Sequence, residues 1–589
     1  MHQPEKFYKT EKELFEKELS SVKRKLTIFS TLRLFTFLAT AIGIYFFFWN
    51  VQWVILIAIA GITLFIYLVV THSDLQDKAA LTKKIIGINE TEIKVLKGDY
   101  FSLDEGNEYI DHTHFYSYDI DLFGRGSFFQ YCNRTVTQEG KNELAEILTK
   151  NDILSIERKQ EGIKELSKIS RWRQHFSAIA SLVRVQHSAK TIISWIHNYK
   201  SVIPQFLSFL PILFSAISLL LIVLVSLQVL DSQTLIIWFF IGLAISGVYF
   251  KKVDKLYQDA TKAKDTFKQY HKLLHEIETA TFSSFILLQK QEAIQTESKH
   301  ASLIFAEFSK YLDALDQRNN MLMAVLGNAF LLWDVQQAYK IERWIKKYEN
   351  KVEDWFEVIA FFDSQNSLAT MVFNNPDFVF PKIETDKKII ISNNLGHPLL
   401  TPSQRVNNNF SIDKQQFFII TGANMAGKST FLRTISLAIV MANMGLPVCA
   451  ESFEYTPVRL ITSMRTSDSL ADDESYFFSE LKRLKFIVDE IKAENYFVIL
   501  DELLKGTNST DKAIGSKKFV EKLVASKSTG VIATHDLSLC EIENELSAIE
   551  NYYFDAEIIS DELYFDYKLK EGVCKNMNAS FLLRKMEII

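Results

Sequence analysis

The run Gly422-Ala-Asn-Met-Ala-Gly427-Lys428-Ser429-Thr430 sets two glycines ahead of a lysine and two hydroxyls. An apolar stretch, "FFII" at 417–420, precedes it, and "STFLRTISLAIVMA" follows with helical spacing of its apolar residues. A strand, a glycine turn and a helix in that order point backbone N–H groups at an anion lying on the helix start. Residues Gly422, Ala423, Asn424, Met425, Ala426, Gly427, Lys428, Ser429 and Thr430 are therefore read as a phosphate cradle. Lys428 would reach the outer phosphates and the Ser429 hydroxyl would ligate Mg²⁺. ATP and Mg²⁺ are the expected cofactors.

Two further apolar runs end in groups that complete such chemistry. "YFVIL" at 496–500 delivers Asp501-Glu502, and "GVIAT" at 530–534 delivers His535. Hydrolysis needs a carboxylate on the metal and a group to orient the attacking water. Asp501 suits the first role and Glu502 the second, while His535 suits a sensor of the γ-phosphate. Alone, paired acids after a strand fit a solvated strand end equally well, and a lone histidine fits packing. At the carboxyl ends of parallel strands beside a phosphate loop, all three fit a nucleotide-binding α/β domain.

The rest of a 589-residue chain must hold and move that site, and this length exceeds what one core supports. Forty-six Phe against 9 Pro and 20 Gly point to long helices with few breaks. A net charge of −5 leaves no general basic field of the kind that grips nucleic acid. Cys132, Cys449, Cys540 and Cys574 are too far apart in sequence for a C-x-x-C metal pair, which fits a reducing compartment. Leu34 to Thr71 carries no charge, nor does Ser201 to Leu230 or Ser232 to Phe250. With about 20 apolar residues needed per helix to cross a bilayer, four spans are expected near 28–48, 52–71, 206–228 and 233–250. Lys23, Arg24, Lys25, Arg33, Lys200, Lys251, Lys252 and Lys255 flank their outer ends, so both termini and the phosphate site are expected on the cytoplasmic side. Segments 76–120 and 252–350 are expected to be helical, with ordinary amphipathic charge patterns that read as core and lever packing.

Several stretches together resemble the MutS family of DNA mismatch repair ATPases, within the ABC ATPase superfamily. "TGANMAGKSTFLR" is similar to the family's TGPNMGGKST motif, with Ala423 and Ala426 replacing a Pro and a Gly. "MGLPVCA" at 444–450, "DSLADDESYFFSE", "LDELLKGTNSTD", "ATHD" and "YKLKEGVCKNMNAS" resemble its remaining ATPase segments. Upstream, "GSFFQYCNRTVTQEGKNELAEIL" at 126–148, "VIAFFDSQNSLATMV" at 358–372 and "LGHPLL" at 395–400 resemble its helical core and the approach to the ATPase.

The resemblance implies an α/β C-terminal P-loop ATPase domain on an all-α core with lever helices. Here those levers carry the apolar hairpins, giving regions 1–120, 121–390 and 391–589. It implies a homodimer that shares its nucleotides, Ser475 of one subunit reaching the ATP of the other. The family's mismatch-reading module and clamp helices would sit where this chain has apolar hairpins. DNA is thus a candidate partner, and mismatch recognition is disfavoured. Two other readings stay open: an ATP-driven membrane scaffold or remodeller, and an ABC-type transporter component.

Overall fold

The computed structural model describes residues 3–182, 188–201, 203–204, 209–295, 299–384, 387–423, 425–465, 476–505, 508–559 and 562–574. Helix α1 (Gln3–Phe46) and α2 (Val51–Val95) form an antiparallel hairpin, and α3 (Leu210–Ser226) with α4 (Ser232–Thr279) forms a second. Small residues bring the first pair together. A Cβ on Gly61 would overlap Thr40, and one on Gly43 would lie 3.2 Å from Ile57. In the second pair Phe214 stacks on Trp238 with ring centroids 4.3 Å apart, and Trp238 Nε1 donates to Ser218 Oγ at 2.7 Å.

Around these contacts the apolar surface is bare. Trp49 at the first tip is 93% exposed, and Phe35, Ile59, Ile237 and Phe240 also face outward. Among the described residues three helices, α1, α2 and α4, are long and apolar enough to cross a membrane. The expected segments 28–48, 52–71 and 233–250 fall chiefly on them. The segment expected at 206–228 is shorter: α3 has 17 residues, and Pro211 in its first turn marks its start. At 1.5 Å per residue that is about 25 Å of helix.

Below its apolar part α4 continues into the helical body. There α5 (Ala301–Asp316) lies along it, with Phe267 and Phe305 centroids 4.7 Å apart, and α6 (Trp333–Tyr348) follows. Helix α7 (Val352–Asn374) is buried along most of its length. Its Asp363 clasps the turn at 133–137, accepting from Val136 N at 3.0 Å, Thr137 N at 2.8 Å and Thr137 Oγ1 at 2.7 Å. Thr137 in turn caps the next helix by accepting from Gly140 N, and a Cβ on Gly140 would overlap the Asp363 carboxylate. Arg134 of the same turn pairs with Glu92 of α2 at 2.5 Å. Tyr8 of α1 donates to Asn374 of α7 at 2.8 Å. The first hairpin is thereby tied to the centre of the body.

The helix expected over 76–120 ends at Val95; beyond it Gly98 and Gly106 take left-handed backbone and only the short turn Asn107–Tyr109 follows. One part of 252–350 also departs from the amphipathic packing expected there. Residues 321–331 form a π turn (Met323–Gly327) running into a short helix (Asn328–Leu331), with Met321, Leu322, Leu326 and Leu331 exposed. The sequence carries no charge between Arg318 and Asp334, yet that stretch is too short to read as a span.

The C-terminal region is built on a six-stranded sheet: β1 (Phe417–Gly422), β2 (Arg459–Ser463), β3 (Tyr496–Asp501), β4 (Thr529–Ala533), β5 (Ile549–Phe554) and β6 (Leu569–Glu571), in spatial order β6-β5-β1-β4-β3-β2. All neighbours are parallel except β6, which runs antiparallel to β5. Strands β1 and β4 are buried throughout, as unbroken apolar runs in a parallel sheet should be. A mixed four-stranded sheet of Lys382–Ile383, Ser452–Tyr455, Lys388–Leu395 and Asn408–Asp413 packs nearby. The edge strand β2 meets the helical body. The Asn151 side chain bonds both the N–H and the C=O of Leu460 at 2.9 Å, and Thr462 Oγ1 donates to Asp119 at 2.5 Å.

Candidate nucleotide site

Strand β1 ends at Gly422, and helix α8 (Lys428–Asn443) begins within the same tight loop. Only a residue without a side chain fits either glycine position. Gly422 has φ +145°, and a Cβ there would sit 2.6 Å from the Phe554 carbonyl; Gly427 has φ +104°, with Tyr567 3.0 Å from a Cβ. The first turn of α8 holds N–H groups that no carbonyl within the helix can reach, so they face whatever occupies the loop.

Lys428 is buried. Its ammonium donates to Gly422 O at 2.8 Å and Ala423 O at 3.0 Å, and burial lowers its pKa against the pull of Asp501 and Glu502. Ser429 Oγ donates to Asp501 Oδ2 at 2.6 Å, joining the start of α8 to the end of β3. Both are hard oxygen donors of the kind Mg²⁺ takes, and they already converge, so the pair fits that ion. Next along, Glu502 adopts a left-handed backbone, φ +59°, fixed by its N–H donating to Ala533 O at 2.9 Å. That unusual conformation costs about 1–3 kcal/mol and aims the carboxylate back over the strand ends. Glu502 Oε1 lies 3.1 Å from His535 Nε2, and its other oxygen lies 3.6 Å from Lys505 Nζ. Burial, with the Lys428 charge adding to it, lowers the His535 pKa, so the imidazole is neutral at pH 7 and able to donate to that carboxylate.

These groups share one cavity of about 590 Å³, within the usual range for small-molecule sites. Met425, Gly427, Lys428, Ser429, Thr430, Asp501, Glu502 and His535 all line it, so the structure brings together the expected groups from three strand ends. Gly422 and Ala423 stand beside it as acceptors for Lys428, and Ala426 is buried beneath the loop. Asn424 and Ser475 lie outside the described residues. His397 and Tyr567 also line the cavity, unassigned by the sequence reading. Their segments, "LGHPLL" and "YKLKEGV", carry a recognisable pattern, but nothing in the residue types announced a place at this site.

Residues 418–584 match the MutS domain V family. Among curated proteins, the DNA mismatch repair protein MutS of Methanococcoides burtonii is 34% identical over 224 residues, 36% of this chain and 25% of that protein. MutS protein homolog 4 of Homo sapiens is 32% identical over 194 residues, 31% and 20% of the two chains. The DNA mismatch repair protein MutS of Clostridium kluyveri aligns over 327 residues at 26% identity, 54% and 36% of the two. Residues 418–584 thus carry a MutS domain V, and the likeness to MutS proteins is carried by part of the chain. The chain spans only a fifth to about a third of these relatives' lengths. The matched residues 418–584 hold nearly all of the six-stranded sheet and the cavity groups Lys428, Ser429, Asp501, Glu502 and His535.

Proposed function

We propose that this chain is a MutS-family ATPase anchored in a membrane by its two apolar hairpins, working as a homodimer. One observation carries the reading: Lys428, the Ser429–Asp501 pair and the Glu502–His535 pair converge on one cavity from adjacent parallel strands. The backbone from Gly422 to Thr430 wraps the phosphates, and Lys428 turns from its own loop's carbonyls to the outer phosphate oxygens. Ser429 and Asp501 would hold Mg²⁺, which when bound would supply neutralisation of phosphate charge. Glu502 takes the proton of the attacking water, and neutral His535 holds that carboxylate in place and reads the γ-phosphate. Ser475 of the facing subunit completes the nucleotide's shell, so ATP acts as a bridge that hydrolysis removes.

Regions 1–120, 121–390 and 391–589 then divide the work into a first anchor, a helical transmission carrying the second anchor, and the engine. The exposed apolar belts support lipid as the surrounding of α1–α4. The basic flanks support a cytoplasmic engine. Whether the body grips DNA separates two versions of this reading. The names of the relatives favour DNA, while the apolar hairpins standing at the family's DNA-facing positions favour a scaffold or remodeller. ATP turnover by the full chain in liposomes, with plain, branched and mismatched duplexes added in turn, decides between them. Stimulation that weakens with salt is expected for the DNA version, because phosphate contacts release counterions; a rate that none of the three duplexes changes from the DNA-free rate would leave the remodeller.

A further inference from the structure

Residues 321–331 lie against the apolar part of α4, not its water-facing part. A Cβ on Gly242 would overlap the Ala329 carbonyl, so the two backbones touch. Ser246 Oγ donates to Asn328 O at 3.4 Å, and the Phe239 and Phe330 rings sit 6.0 Å apart. Gly242 precedes Lys251 by nine positions, about 13 Å along the helix. If α4 crosses a bilayer, Ala329 must stand at that depth.

Both ends of the segment are held at the lower level. Arg318 reaches Asp334 and Asp254 at 3.5 Å, with its guanidinium over the Phe250 and Tyr257 rings. Leu332, at φ +48°, turns the chain back into α6. The chain therefore enters and leaves from one side. Backbone in hydrocarbon must find its hydrogen bonds within protein; residues 321–331 are helical, a π turn followed by an α turn, and side chains bond groups near their C-terminal end. Asn328 Nδ2 donates to Ala324 O and its Oδ1 accepts from Asp334 N, both at 3.0 Å. Leu331 O accepts from Ser215 Oγ of α3 at 3.4 Å.

We propose that residues 321–331 form a re-entrant element inserted in the bilayer beside α3 and α4, with Leu326 and Leu331 facing lipid acyl chains. This rests on the membrane reading of the α3–α4 hairpin. Its supports are continuity with that hairpin's apolar belt, the uncharged stretch between Arg318 and Asp334, and a charged cluster closing its base. Since 321–331 lies on the chain between α5 and α6, it gives the body a direct foothold in lipid that moves with those helices.

The test is nitroxide accessibility in the full chain reconstituted in phosphatidylcholine vesicles, with single labels on Leu326→Cys, Leu331→Cys, Phe240→Cys and Leu303→Cys. The four native cysteines are buried, so labelling reports the introduced site. Phe240 marks lipid on α4, and Leu303, exposed on α5, marks water. At Leu326 and Leu331 we expect loss of relaxation by a water-soluble nickel chelate and retention of relaxation by oxygen, as at Phe240 and opposite to Leu303. Nickel access at Leu326 and Leu331 with Phe240 protected overturns the re-entrant element alone; nickel access at Phe240 as well overturns the anchoring reading too. Protection from both quenchers at Leu326 and Leu331 means protein covers the face, and overturns the lipid assignment. Should one of the two variants misfold, the other carries the same readout.

Discussion

Replacing Asp363 with alanine tests how the helical body is held together. Burial pushes this carboxyl from 3.8 up to about 6, even though Val136 N–H, Thr137 N–H and the Thr137 hydroxyl all donate to it. The alanine variant strands the buried Thr137 N–H and the partly buried Val136 N–H, at about 1–3 kcal/mol each, and relieves an ionisation cost of about 3 kcal/mol at pH 8. The net loss is therefore only about 1 kcal/mol at pH 8. Asp363 binds its proton more tightly folded than unfolded, so the wild-type chain gains stability from this group as pH falls through 6 toward 3.8. From pH 8 to pH 5 that gain is about 1.5 kcal/mol, and the penalty of Asp363→Ala should rise to roughly 2.5 kcal/mol. Urea unfolding of both proteins in detergent, followed by tryptophan fluorescence at the two pH values, measures the difference; Trp355 is buried on the same helix. Titration of all other groups cancels in the comparison. A penalty equal at both pH values, or smaller at pH 5, would refute burial as the force on this carboxyl.

Lys428→Ala should lower ATP affinity at least about 100-fold, since it removes a charge-assisted contact worth about 3 kcal/mol; equilibrium binding of a fluorescent ATP analogue measures it, and unchanged affinity would remove Lys428 from the site. Glu502→Gln should cut turnover by about 10²–10⁴ while binding persists and an ATP-held dimer accumulates in size-exclusion chromatography; parental turnover would take the base role from Glu502. Gly422→Ala should destabilise the domain by about 2 kcal/mol or more, through its left-handed φ and the Phe554 carbonyl 2.6 Å from the new carbon; a melting temperature unchanged from wild type would contradict that packing. Burial, with Arg433 and Arg405 adding to it, lowers the His397 pKa to about 4. The stability His397 contributes is thus present above 6.5 and lost as pH falls toward 4, about 2 kcal/mol of it between pH 7.5 and 5. His397→Gln should remove that share of the acid sensitivity, and an identical pH profile for both proteins would count against it.

The candidate site was legible because its residues sit at strand ends flagged by contiguous motifs. An apolar run followed by Gly422–Ser429, Asp501-Glu502 or His535 states both the element and the chemistry. Asp363 was not legible in that way. It lies in a stretch with a recognisable pattern, yet its role depends on burial against a turn 226 positions away, which no local spacing encodes. The segment 321–331 escaped for a different reason: its apolar run is too short for the about 20 residues that announce a span. Only the contact with Gly242 shows that it packs beside the apolar part of α4. His397 and Tyr567 reach the cavity through loops whose path the sheet's topology decides.

Helix α4 runs 48 residues without a proline, so its apolar end and its buried end belong to one stiff member. With α4 in a bilayer, as proposed, a nucleotide cycle that rocks the body would tilt that member within it. Coupling of this kind acts in both directions. A thicker or thinner lipid layer favours a different tilt, and so would tune how tightly ATP is held at the far end. On this reading, membrane composition is an effector of the engine as well as its address.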